Sequence, residues 1–161
     1  MSLAQWRVPI TNVGGDLLKL ADRVKRDSFG PLPPYIHSAL RMVMRRLRRG
    51  FPGVHVVVGQ RTADDLFRRG LNYARDGQFR HALEFLIRAL ADSKYDSQIW
   101  HQVGIVCLHF DETELAVDIL IFAVWINPRN IPVKEDLALI QQGEEDDDES
   151  SDEEDDEFHG R

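Results

Sequence analysis

The middle of the chain can be laid on itself by one constant shift, the one that sets Gly70 on Gly104. The same shift sets Ala82 on Ala116 and Ala89 on Ala123. Leu66 falls on Trp100, Leu71 on Ile105, Phe85 on Ile119, Leu86 on Leu120 and Leu90 on Val124. Small residues meet small ones, and large apolar residues meet large apolar ones. A fixed period of this size marks a repeat architecture, in which each unit buries its apolar face only against its neighbours. The span Thr62 to Asn130 therefore predicts two stacked units, at about 63–96 and 97–130. The rest of the chain is left to flank and cap them.

Each unit reads as two antiparallel helices. Thr62 is placed to cap the first, with Asp64 and Asp65 in the turn where the helix dipole favours acid. Leu66, Phe67, Leu71 and Tyr73 follow at largely helical steps. Asp76-Gly77 breaks the helix, as glycine does just past a helix end. A second helix carries Phe79, Ala82, Leu83, Phe85, Leu86, Ala89 and Leu90. The next unit repeats the plan: Trp100 to Phe110, a break at Asp111-Glu112, then Leu115 to Ile126. Asn127-Pro128 ends it, because the residue before proline is pushed out of the helical region. Gly70, Gly104, Ala82 and Ala116 are explained by helix crossings too close for a larger side chain.

This pattern resembles the tetratricopeptide repeat, a helix-turn-helix unit whose length matches the period here. The second unit carries the resemblance best, with Trp100-x-x-Val103-Gly104, then Ala116, Leu120, Ala123 and Pro128. The first has Leu66-x-x-Arg69-Gly70-x-x-Tyr73, then Ala82, Leu86 and Ala89. It departs at Leu66 for the usual Trp, at Arg69 for an apolar residue, and at Lys94 where proline would stand. Cys107 replaces the usual Tyr in the second. The resemblance implies an all-α fold, a short helix-turn-helix solenoid with N-terminal flanking helices and a C-terminal capping helix. It also implies a groove lined by the first helices. Its residues here would be Phe67, Leu71, Ala74, Arg75, His101, Ile105, Leu108 and His109. Some members of the family hold acidic chaperone tails in a lysine-asparagine clamp; the matching places here hold Phe67, Leu71 and Gln98. The groove is then apolar with a basic and histidine rim, which suits an apolar or amphipathic helix.

Four segments follow. Residues 1–15 form an N-terminal arm with Trp6, Val8, Pro9 and Ile10, either folded back on the domain or free to bind a partner. Residues 16–61 hold two helices and a linker. One helix spans Asp16 to Asp27; the other spans Tyr35 to Arg49, after a connector punctuated by glycine and prolines. Arg41, Arg45, Arg46, Arg48 and Arg49 load the second helix opposite its stripe of Ile36, Leu40, Val43, Met44 and Leu47. Such a helix either packs on the repeats with a solvated basic face or binds nucleic acid, an anionic membrane surface or an acidic protein segment. Val54 to Val58 is a β-like run, read as an extended linker or a strand for another protein's sheet edge. Residues 62–141 are the repeat domain, closed by a helix over Pro132 to Ile140 whose Leu137, Leu139 and Ile140 cover its end. The N-terminal helices are expected to cover the other end. Residues 142–161 read as a disordered acidic tail, in which Ser150 and Ser151 precede Asp152, Glu153 and Glu154. That context resembles the sites of acidophilic kinases of the casein kinase type, making both serines candidate phosphosites.

Charge is polarised along the chain. Residues 1–61 carry eleven Lys and Arg against three acids, and residues 62–142 carry eight against twelve. Residues 143–161 hold one basic residue and twelve acids. A single cysteine, Cys107, rules out an internal disulfide framework and reads as a core thiol. No apolar run approaches the length that spans a bilayer, and no secretory signal is visible, so the expectation is an intracellular protein, cytoplasmic or nuclear.

Chemistry is sparse in the pattern. His101 and His109 stand eight apart and His81 lies in the other unit, so no pair has the spacing of a zinc-binding helix. Phosphate loops, nucleophile elbows and Cys-His pairs are also missing. The expectation is no enzyme, no cofactor and no metal. It is a protein–protein interaction adaptor, a small subunit or assembly factor of a larger complex. The alternatives are a nucleic-acid or membrane-surface binder working through the arginine helix under the acidic tail, and a chaperone for a secreted substrate.

Overall fold

The computed structural model describes residues 4–27, 29–49 and 60–149, with side chains for 13–27, 29–49 and 62–145. Those residues form seven helices: α1 (Ala4–Arg26), α2 (Pro34–Arg49), α3 (Gln60–Arg75), α4 (Phe79–Asp92), α5 (Ser97–His109), α6 (Thr113–Ile126) and α7 (Ile131–Glu149). The two units are the pairs α3–α4 and α5–α6, and α4 packs on α5 to join them.

The period is visible in the backbone. After α3, Gly77 takes a left-handed conformation with φ 75°. The Gln78 amide then donates to the Tyr73 carbonyl at 2.9 Å and the Gly77 amide to that of Ala74 at 3.1 Å. These two bonds satisfy carbonyls that the helix end leaves open. After α5 the same pair recurs one period on: Glu112 to Cys107 at 3.1 Å and Asp111 to Leu108 at 3.0 Å. Here Asp111 holds the left-handed position, at φ 59°.

The link between units repeats as well. The amide of Asp96 donates to the Ser93 carbonyl and, one period later, that of Asn130 to the Asn127 carbonyl. Asp96 caps α5 by accepting from the amides of Gln98 and Ile99. Asn130 donates from its side chain to Ser97 Oγ, which in turn donates to the Ala123 carbonyl, each at 2.9 Å. So α7 begins where the first helix of a third unit would begin, and buried Val133 stands where Ile99 stood.

Within each unit the helices cross at glycine. A methyl group on Gly70 would lie 2.9 Å from Leu86 Cγ and Cδ2; one on Gly104 would lie 2.9 Å from Leu120 Cδ2. The leucines fill the space that glycine leaves, and both are fully buried. Trp100 is also fully buried, edge-on to Phe122, with its indole N–H donated to the Lys94 carbonyl at 2.7 Å.

The flanking helices lie on the outer side of the second helices. The sequence placed them over an end of the array, and the structure corrects this. Val13, Leu17, Leu20, Ala21 and Val24 of α1 are buried, and α1 makes its main contact with α4. Arg88 of α4 reaches Asp22 of α1 at 2.6 Å and Glu84 at 3.2 Å. The buried Arg80 holds the connector, donating to the carbonyls of Gly30 and Pro31. α2 buries Ile36, Leu40, Val43, Met44 and Leu47 and reaches α6. Tyr95, between α4 and α5, donates to the Leu47 carbonyl at 2.9 Å.

Other boundaries also differ from the sequence reading. α1 starts at Ala4 rather than Asp16, running through Gly14 and Gly15. At Gly14 an added methyl would lie 3.4 Å from the Ala91 carbonyl oxygen of α4 and 3.3 Å from Lys94 Cε just past its end, so close packing outweighs the poor helix propensity of glycine there. α3 starts at Gln60, which puts Thr62 inside its first turn and not at the cap. α7 continues to Glu149, into the stretch read as a disordered tail; glutamine and glutamate are good helix formers, and Gly143 alone does not stop it. The run Val54 to Val58 lies outside the described residues, as do Ser150 and Ser151.

Two substitutions test this frame by thermal or denaturant unfolding. Gly104→Leu should lower stability by about 1–3 kcal/mol through overpacking against Leu120. Asp111→Gly should raise it by up to about 1 kcal/mol, because the left-handed turn strains any residue with a β-carbon.

Candidate partner-binding cleft

Because α3 and α5 occupy the same place in successive units, residues one period apart form rows across the face they share. One row is Leu71 and Ile105, and the period carries it to Leu139 of α7, which is exposed. A second row is Arg75 and His109. Between α3 and α5 these rows open into a cleft of about 370 Å³. α3 supplies Leu71, Ala74 and Arg75, and the start of α4 supplies Phe79. α5 supplies Gln102, Ile105, Val106 and His109. The floor is apolar and the rim carries a guanidinium, an amide and an imidazole.

The rim is braced from within. The His109 ring stacks on Phe79 with centroids 3.9 Å apart and an interplanar angle of 12°. That contact crosses from one unit to the next and fixes the imidazole at the edge. Arg75 is exposed and makes no ion pair among the described residues. Its cation stands beside an apolar floor.

Five of the eight residues expected to line a groove meet here: Leu71, Ala74, Arg75, Ile105 and His109. Three do not. Phe67 and Leu108 are partly buried against the core. His101 turns to α7, where Nε2 lies 2.6 Å from Asp136 Oδ2. Phe79, Gln102 and Val106 were missed. Gln102 and Val106 sit three before and one after Ile105, on the side of α5 nearest α3, and the rotation of α5 about its axis is not encoded in the period. Phe79 opens a second helix, and its part in the cleft comes from the tight turn at Gly77.

The arginine helix is largely engaged within the protein. Arg41 pairs with Asp118 at 3.3 Å and Arg46 with Asp16 at 2.5 Å. The Arg48 guanidinium lies 5.4 Å from the Phe122 ring centre. His37 Nε2 stands 3.0 Å from Glu112 Oε1, out of line for a hydrogen bond. Arg45 and Arg49 are exposed and have no such partner among the described residues. Neither a metal-ligating cluster nor a helix long and apolar enough to cross a membrane occurs among the described residues. No protein-family model and no curated protein sequence matches the chain.

Behind the cleft, Cys107 lies fully buried on α5. Burial, reinforced by the Glu112 carboxylate, pushes its thiol up to about 12. Tyr35, half-buried and hydrogen-bonded to Asp27 at 2.6 Å, is pushed up to about 12 as well, chiefly by burial. Both groups are held neutral by the fold. Their contribution is complete below the ordinary values of 9.0 and 10.0 and is lost as pH rises towards about 12. Unfolding midpoints followed against pH should hold steady up to pH 9.0 and fall from there to about 12. In the same protein at neutral pH, Cys107 should resist alkylation until denaturant is added.

Proposed function

We propose that the chain is a non-enzymatic adaptor, similar to tetratricopeptide proteins, that holds a helix or extended apolar segment of another protein in the α3–α5 cleft. The observation that carries this reading is the cleft itself, an apolar floor of Leu71, Ile105 and Phe79 beside Arg75, which has no ion pair among the described residues. Apolar floors of this sort, edged by a few polar groups that fix orientation, are the usual form of a recognition site. The position of the flanks supports it too. α1 and α2 pack on α4 and α6, so neither helix fills the cleft. Of the arginine-helix side chains, three are already engaged within the protein, which favours the cleft over the basic helix as the recognition surface.

The ligand this cleft fits is amphipathic. Two or three apolar side chains would span the row from Leu71 through Ile105 towards Leu139. A carboxylate near one end would meet Arg75. The partner would be a subunit or client presenting such a segment, with this protein as the smaller member of the assembly.

Selection of displayed helical peptides against the full chain tests the reading. Enriched peptides should share an apolar stripe flanked by acid. Leu71→Ser with Ile105→Ser should weaken their binding by roughly thirtyfold or more, the equivalent of a roughly 2 kcal/mol anchor, while the helical circular dichroism is retained. Peptides whose binding survives both substitutions and is lost on Arg45→Ala with Arg49→Ala would overturn it.

A further inference from the structure

The outer side of the molecule carries a second surface, formed where α2 lies along α6. The two helices run parallel, since His37 meets Glu112, Arg41 meets Asp118 and Arg48 meets Phe122 in ascending order. Helical spacing then sets Arg45 between the Arg41 and Arg48 contacts and Arg49 at the far end, level with the last turns of α6. Those turns expose Ile121 at 43% and Trp125 at 41%, and Trp125 stacks on Phe122 with centroids 5.5 Å apart. α2 adds Met42, exposed at 42%. The result is an aromatic and aliphatic strip edged by two guanidinium groups that have no ion pair among the described residues.

The wider setting is strongly basic. Residues 13–49 hold nine lysines and arginines against three aspartates. The stretch 144–161 has the opposite composition, twelve acids and one arginine, with Phe158 as its single large apolar side chain.

The connection from α6 to α7 is short, residues 127–130, so α7 returns antiparallel along α6. α6 has 14 residues and α7 has 19, which at about 1.5 Å each are about 21 and about 28 Å long. Glu149 therefore lies past the start of α6, on the side where α2 also begins. Residues 150–161 follow in the sequence. Extended, they span about 40 Å. The run from the start of α2 to Arg49 is about 23 Å.

We propose that the acidic segment 150–161 docks on the α2–α6 face of its own chain. Its carboxylates lie along Arg45 and Arg49, and Phe158 rests on Ile121 and Trp125. The consequence is selectivity. A free basic face would attract any polyanion, since such attraction needs only charge. Covered by its own acids, that face is closed to nucleic acid and anionic surfaces. The apolar cleft on the other side stays open. The proposal uses none of the cleft residues, so it stands or falls apart from the function proposed above.

A nitroxide attached at Asp155→Cys in the full chain tests this directly; the buried Cys107 stays unlabelled. Amide signals of Arg45, Arg49, Ile121 and Trp125 should lose most of their intensity, whereas those of Leu71, Ile105 and His109 should keep theirs. Arg45→Glu with Arg49→Glu should restore the lost signals. Raising the salt to about 1 M, which shortens the screening length from about 8 to about 3 Å, should restore them in part. Unchanged intensities on the α2–α6 face would overturn the proposal. So would loss at the cleft residues instead, or loss on the α2–α6 face that both arginine substitutions leave in place.

Discussion

Two close approaches organise this protein, Gly70 against Leu86 and Gly104 against Leu120. At each, a methyl group on the glycine would come within 2.9 Å of the leucine side chain. The glycine costs its helix up to about 1 kcal/mol relative to alanine. What the helix gains is a partner near enough to bury a whole leucine, worth about 1.5–3 kcal/mol. Because both contacts recur at one spacing, the two units share one geometry. The first helices then stand in register, and their equivalent residues form rows. The cleft is a product of that register. No single motif encodes it, and Leu71, Ile105 and Arg75 are ordinary helix residues until the crossings line them up.

The flanks do a different job. A short array leaves apolar surface at its ends and on its outer side, and few stacked units are stable without cover. α7 covers one end as the first helix of an incomplete third unit, burying Val133. α1 and α2 cover the outer side, with the Asp22–Arg88–Glu84 chain fastening α1 to α4 and Arg41–Asp118 joining α2 to α6. Arg41–Asp118 and the Asp22 end of the chain are exposed, and ion pairs of that kind contribute little each. The buried stripe Val13, Leu17, Leu20, Ala21 and Val24 supplies most of the adhesion. Placing the flanks there leaves the α3–α5 side uncovered by α1 and α2.

The period, the glycine crossings and the break positions were legible in the sequence because each is local or strictly periodic. Gly77 and Asp111 mark their turns by residue type and spacing alone. The placement of the flanks was not legible, since the stripe on α1 fits the end of an array as well as its outer side. The start of α1 at Ala4 was hidden by Gly14 and Gly15; at Gly14 the low propensity is outweighed by packing that the sequence does not display. The continuation of α7 to Glu149 was masked by composition, because charge density argues for solvation and is silent on backbone conformation. For the cleft, the rows were readable and the rotation of each helix was not. Hence His101 was assigned to the groove and instead pairs with Asp136, and Gln102 was overlooked.

The central claim is that close helix crossings at glycine set the unit and, through it, the cleft. A double-mutant cycle on Gly70→Ala and Leu86→Ala, read from denaturant midpoints in stabilising sulfate, addresses it most directly. With Leu86 in place, Gly70→Ala should destabilise, because its new methyl has no room. With Leu86→Ala it should stabilise by up to about 1 kcal/mol, the helix preference for alanine freed of the clash. Effects that add to within about 0.5 kcal/mol would mean that the two residues do not compete for one space, and would contradict the account.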